Sequence, residues 1–179
     1  MIASTFNTYF RHSRQIALVD LTGLMEFAGI WKRREQVFAS PAYYAFQLYS
    51  AAKGETVLPV TTDSGTYSVK NGTLGVPDVS GIPYIDVVAT RNDEKHTLTL
   101  FCVNRSLTMD TPVRIHSGNF ESASVAQVEQ ISAISRYVMN DEVEPKRVVP
   151  QDSSLRASGK SFAITLPHES LTVIQIRAR

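Results

Sequence analysis

From Tyr84 onward, polar and apolar residues alternate with a period of two. The stretch "YIDVVATRNDEKHTLTLFCVN" reads as strand, polar turn at Asn92 to Lys95, and strand, which predicts a β-hairpin. In "KSFAITLP" the same period puts Phe162, Ile164 and Leu166 on one face. In "LTVIQIRA" it sets Leu171 and Val173 opposite Thr172, Ile174 and Ile176. Turn residues punctuate the runs at Asn71-Gly72, Gly81, Ser117-Gly118-Asn119 and Ser158-Gly159. Short strands at such spacing, with no strong helix between them, predict an antiparallel sandwich over Ala51 to Arg179. Phe162, Ile164 and Leu166 then share a core with Leu98, Leu100 and Cys102 or with the alternate set.

The first fifty residues follow a different pattern. Ten of the sixteen aromatic residues precede Ser50. "ASTFNTYFRHS" predicts a short helix with Ser4 as N-cap, and "QIALVDL" predicts a short buried strand. "SPAYYAFQLYSAAKG" predicts a stronger helix, with Ser40 as N-cap, Pro41 at the first helical position and Gly54 as terminator. Tyr43, Tyr44, Phe46, Leu48 and Tyr49 lie on several sides of that helix, since successive residues diverge by about 100°. It therefore needs cover from more than one neighbour. The compositional boundary falls near Ser50 to Glu55.

The chain has 179 residues, room for one domain with an appendage. Eighteen Lys plus Arg nearly cancel seventeen Asp plus Glu, so net charge implies no partner. "KRRE", Lys32 to Glu35, reads as a solvated or paired turn. No basic surplus elsewhere supports nucleic-acid binding by counterion release. No apolar run approaches the roughly 18 residues of a membrane helix, and the N-terminus does not read as a secretory leader. Compartment is left open.

Cys102, the single cysteine, reads as a small buried hydrophobe. His12, His96, His116 and His168 are scattered singly, without metal-ligand spacing. Neither a phosphate-cradling glycine loop nor a G-x-S-x-G elbow occurs. "NDEVEPKRVVP" lacks calcium-loop spacing and reads as a surface loop. No metal or other cofactor is expected.

The run "YFRHSRQIALVDLTGLMEFAGIWKRREQVFASPAYYAFQLYS" resembles the end of the catalytic domain of family 51 glycoside hydrolases, the α-L-arabinofuranosidases. The remainder resembles their C-terminal domain, through "LPV", "VVATRND", "VNRS", "RVVP" and "LPHESLTVIQI" in order along the chain. The resemblance implies a mainly β fold: an antiparallel jelly-roll β-sandwich (54–179) preceded by an α/β remnant of a (β/α)₈ barrel (1–53).

It also implies retaining hydrolysis of terminal arabinofuranosyl units of arabinan and arabinoxylan, by two carboxyl groups about 5–5.5 Å apart at the C-terminal ends of barrel strands. Both family glutamates lie on strands earlier than any present here, and the Asn-Glu dipeptide that carries the acid/base is absent. The expectation is a chain with no catalytic residue of its own. Where family members often carry a sugar-contacting glutamine, Gly23 stands. Glu26 and Trp31 are the candidates to face sugar in a whole enzyme, against packing and pairing at a barrel rim as the alternative. The expected partner is the missing barrel, or a second copy met through the N-terminal segment. A free-standing carbohydrate-binding or oligomerisation module is the rival reading, although sugar-binding modules usually offer an aromatic platform and this zone is aromatic-poor.

Overall fold

A computed structural model describes residues 2–21, 23–25, 29–70, 72, 77–157 and 159–178, the side chains of residues 123 and 124 excepted. In chain order the elements are α1 (Ile2–Arg11), β1 (Ile30–Arg33), β2 (Gln36–Ala39), α2 (Pro41–Ala52), β3 (Thr56–Leu58), β4 (Thr66–Val69), β5 (Val79–Pro83), β6 (Ile85–Asn92), β7 (Thr97–Asn104), β8 (Thr111–His116), β9 (Ser122–Ile131), β10 (Gln151–Arg156), β11 (Ser161–Leu166) and β12 (Ser170–Ala178).

A six-stranded antiparallel sheet in the order β10-β9-β12-β7-β6-β3 forms the centre. One face packs against the β8–β11 pair and the other against α1 and α2. This burial on both faces explains why β7 and β12 read as nearly continuous apolar runs. Alternation then sorts the side chains. Leu98, Leu100, Cys102, Ile174 and Ile176 enter the core between the sheets with Phe162 and Leu166, and Ile164 is partly buried against it. Val88, Phe101, Val103, Leu171 and Val173 enter the helix-side core. The predicted sandwich and the grouping of its core residues agree with this arrangement.

Each helix buries a stripe at i, i+3, i+4 spacing: Ala3, Phe6 and Asn7 in α1, and Ala45, Leu48, Tyr49 and Ala52 in α2. The stripes meet over Phe101, which is fully buried. Tyr49 stacks on it at 4.4 Å between ring centroids, and Phe10 meets it edge-on at 5.4 Å. Burying a side chain of that size stabilises by about 1.5–3 kcal/mol. Tyr43, Tyr44 and Phe46 lie on the flanks of α2 and are only half-buried.

The α2 bounds follow from the cap chemistry: Ser40 Oγ accepts from the Tyr43 amide at 3.2 Å, and Pro41 opens the helix. Gly54 has another duty than left-handed termination. The helix ends on Lys53 in an extended conformation, and a Cβ on Gly54 would lie 2.5 Å from the backbone of Arg91. The glycine is needed for that close approach.

Three other expectations are corrected. Ser4 lies inside α1 and does not cap it; its Oγ accepts instead from Arg105 Nε at 3.0 Å. Gln15 to Leu21 forms no strand: Gln15 belongs to a turn and Ile16–Leu21 has no regular structure, with Leu18 78% exposed. An apolar run becomes a strand only beside a neighbour that takes its amides and carbonyls, and no described strand lies alongside it. Gly81 is within β5 at φ +69°, where the β4–β5 register shifts, so it forms a bulge in place of a turn. The turn at Gly118-Asn119 forms as expected, whereas Asn71 and Ser158 lie outside the described residues.

Candidate functional site

The two residues singled out for sugar contact are not brought together by any described contact. Glu26 lies outside the described residues. Trp31 is half-buried on β1, paired across the hairpin with Phe38, with the Arg33 guanidinium 4.9 Å from its ring centroid. Asp20 and Glu35 are exposed.

The densest polar constellation is one that sequence reading missed. On β6, Asp86 faces the helix layer and is 3% exposed. Its carboxylate accepts from Arg11 of α1 and, at 2.6 Å, from Arg105 Nη2 just after β7. Arg105 also donates to the Pro83 carbonyl at 3.1 Å. Asn7 donates to the Asp86 carbonyl at 3.2 Å and accepts from the Tyr49 hydroxyl at 2.6 Å, so α2 joins the same network. Burial, and then the Asp86 charge, push the Tyr49 phenol well above its ordinary pKa, which keeps it a neutral donor. Every member is occupied, and the network fastens the N-terminal helices to the sheet. The available signal was the lone acid in "YIDVVAT", at a position whose period neighbours are apolar.

Two further staples close the fold. Asn140 donates to the carbonyls of Ala39 and Val148 and accepts from the Val148 amide, tying the loop before β10 to β2. Asn104 donates to the carbonyls of Met109 and Leu166 and accepts from the Ser106 amide, tying the loop after β7 to β11.

Among the described residues the titratable groups offer no catalytic pair in a cleft. His168 Nδ1 lies 2.7 Å from Asp110 Oδ1, and this hydrogen bond is the main cause that holds the Asp110 carboxyl below its usual range. Glu129 on β9 stands opposite Asp152 on β10, and partial burial, then the Asp152 charge, raise its pKa. Adjacent carboxylates with one raised pKa are what a glycosidase needs, but these lie on a sheet margin and line neither cavity described next. Cys102 is buried and its thiol is pushed up to about 12, so it is inert at neutral pH. Among the described residues no three His, Cys, Asp or Glu side chains gather as a metal site, and no helix is long and apolar enough to cross a membrane.

A cavity of about 870 Å³ lies between the layers, floored by apolar side chains such as Leu58, Leu98 and Leu100 and walled by Val113 and Ile115. A second, of about 650 Å³, runs between Arg11–Gln15 and Val57–Val60. Neither holds facing carboxylates.

The model of the family described as Alpha-L-arabinofuranosidase C-terminal domain matches residues 1–170. Among solved structures, the chain is similar to a thermostable GH51 α-L-arabinofuranosidase from Thermotoga petrophila RKU-1, at 20% identity and TM-score 0.88, over 98% of this chain and 37% of that one. It is similar to an arabinose complex of α-L-arabinofuranosidase from Thermotoga maritima, at 20% identity and TM-score 0.87, over 97% and 36%. AbfB, a family 51 enzyme from Bifidobacterium longum, gives 20% identity and TM-score 0.82, over 98% and 34%. No curated protein matches the chain. It thus spans little more than a third of the solved structures it resembles.

Proposed function

Because the chain belongs to the family of α-L-arabinofuranosidase C-terminal domains, we propose that it serves as the structural C-terminal part of a retaining glycoside hydrolase acting on terminal arabinofuranosyl residues of arabinan or arabinoxylan. The observation that carries the reading is the asymmetric coverage: nearly all of this chain against 37% of the Thermotoga petrophila enzyme. The catalytic glutamate pair then resides in the part of the enzyme that this chain does not span.

On this reading residues 1–53 are the end of the catalytic barrel. Ile16–Leu21 becomes its last strand once a neighbouring strand supplies the ladder that the isolated segment lacks, and Leu18 is then covered. The Asp86 network supports a role for the sandwich as a rigid brace. It couples the N-terminal helices to the central sheet through buried ionic and hydrogen bonds. Glu26 and Trp31 remain the proposed sugar-facing residues of a whole enzyme.

An aryl α-L-arabinofuranoside assay tests the catalytic assignment. Enzymes commonly lower barriers by about 8 kcal/mol or more, and without a positioned carboxylate pair this chain is expected to give no turnover. Turnover that disappears in Glu26→Gln or Asp20→Asn would show that the chain is itself catalytic. Reading the DNA upstream of the Met1 codon tests the larger assignment, for which a barrel carrying an Asn-Glu dipeptide is expected. A second reading, a free-standing self-associating module, draws support from the exposure of Leu18 (78%), Val37 (62%) and Met25 (58%). A stop codon upstream, with no barrel gene adjoining, would favour it.

A further inference from the structure

We propose that β10 is a homotypic docking edge: two copies of this chain pair antiparallel about a two-fold axis at Ser154, joining their six-stranded sheets into one. As the terminal strand of the sheet, β10 has β9 as its sole neighbour among the described strands. Five of its six residues are exposed, and Leu155 is half-buried. Edge strands are normally blunted by charged side chains, lysine above all, by proline, by a bulge or by a covering element; of these β10 has only the charges of Asp152 and Arg156. Gln151–Arg156 contains no proline or lysine and keeps an unbroken register with β9, and Pro150 lies just outside it.

The charges choose the partner. Asp152 lies directly across from Glu129, a like-charge cross-strand pair, and Arg156 lies across from Val125. Among the described residues none of Asp152, Glu129 and Arg156 takes part in an ion pair. The edge therefore presents an uncompensated acidic spot and, four residues along on the same face of the sheet, an uncompensated guanidinium. A strand with the complementary order, cation to acid, is this same strand running the other way.

Backbone geometry then restricts the register. Along a strand the amide and carbonyl of alternate residues point to opposite sides, so two antiparallel outer edges can bond only when paired residues have matching parity. Two symmetric registers satisfy this with a five-residue overlap, one centred on Ser153 and one on Ser154. Centring on Ser153 sets Asp152 opposite a serine and leaves Arg156 beyond the overlap. Centring on Ser154 sets Asp152 opposite Arg156 of the second copy, and by symmetry does so twice. Each incoming guanidinium also falls on the face that carries Glu129.

The test is sedimentation equilibrium of the 179-residue chain over a concentration series at low salt. The expected result is a weak monomer–dimer equilibrium. Each of Asp152→Arg and Arg156→Asp should turn two attractive contacts into two repulsive ones and weaken the dimer by about ten-fold or more. The double reversal restores opposite charges and should restore association. Added salt should weaken the unmodified dimer. If circular dichroism shows that a reversal disturbs folding, Asp152→Asn and Arg156→Gln remove the attraction without repulsion and should still weaken association. A chain that stays monomeric up to about 1 mM, where even weak contacts are populated, overturns the proposal. So does association that is indifferent to the single changes, or a double reversal that fails to recover it in a folded chain.

Discussion

Replacing Asp86 by Asn keeps side-chain size while removing the charge on which Arg11 and Arg105 converge. The two cations should respond differently because their surroundings differ: the Arg105 side chain is 20% exposed, the Arg11 side chain 44%, and Asp86 itself 3%. Removing one member of a buried pair strands the other, at about 3–5 kcal/mol for full burial, whereas an exposed pair contributes about 0–1 kcal/mol. Asp86→Asn should therefore cost about 2–4 kcal/mol, most of it from the stranded Arg105. Arg105→Met should cost less than Asp86→Asn, since its removal leaves the carboxylate one remaining partner. Arg11→Met should cost about 1 kcal/mol or less. Urea unfolding at low protein concentration, read as shifts in midpoint with unchanged slope, gives these values, and a double-mutant cycle gives the two couplings. Equal couplings for Arg11 and Arg105, or an Asp86→Asn cost within about 0.5 kcal/mol, the range of ordinary surface substitutions, would refute the claim that this buried hub holds the helices to the sheet.

Two further outcomes follow from individual groups. Tyr49→Phe should destabilise by about 1–3 kcal/mol in the same assay, because Asn7, fully buried, loses the donor to its Oδ1 while the ring stack on Phe101 is kept. Glu129→Gln should stabilise by about 0.2–1 kcal/mol at neutral pH by removing a like-charge cross-strand pair. The native pKa of Glu129 is raised, so its charge opposes folding above that native value and stops doing so as pH falls toward the ordinary glutamate value of about 4.3. The gain should shrink over that window in unfolding curves taken at successive pH values. A gain that grows on acidification would reverse the assigned sign.

The periodic pattern alone determined β6, β7, β11 and β12, because a period of two fixes which side chains share a face whatever the neighbour. Leu98, Leu100 and Cys102 had to point together, as did Phe162, Ile164 and Leu166. It also determined α2, since Ser40 and Pro41 act on the first turn locally and need no partner from elsewhere in the chain. Other features depended on what lies alongside. "QIALVDL" has the composition of a strand, but a strand is completed by another strand's hydrogen bonds, and no described strand supplies them. Gly54 looked like a helix terminator until the backbone of Arg91, distant in sequence, was found against it. Asp86, Arg11 and Arg105 lie far apart in sequence. Only the packing of α1 across β6 and β7 makes them one buried charge network, because Coulombic pairing depends on distance in space and on exclusion of water, and neither is written in the order of residues.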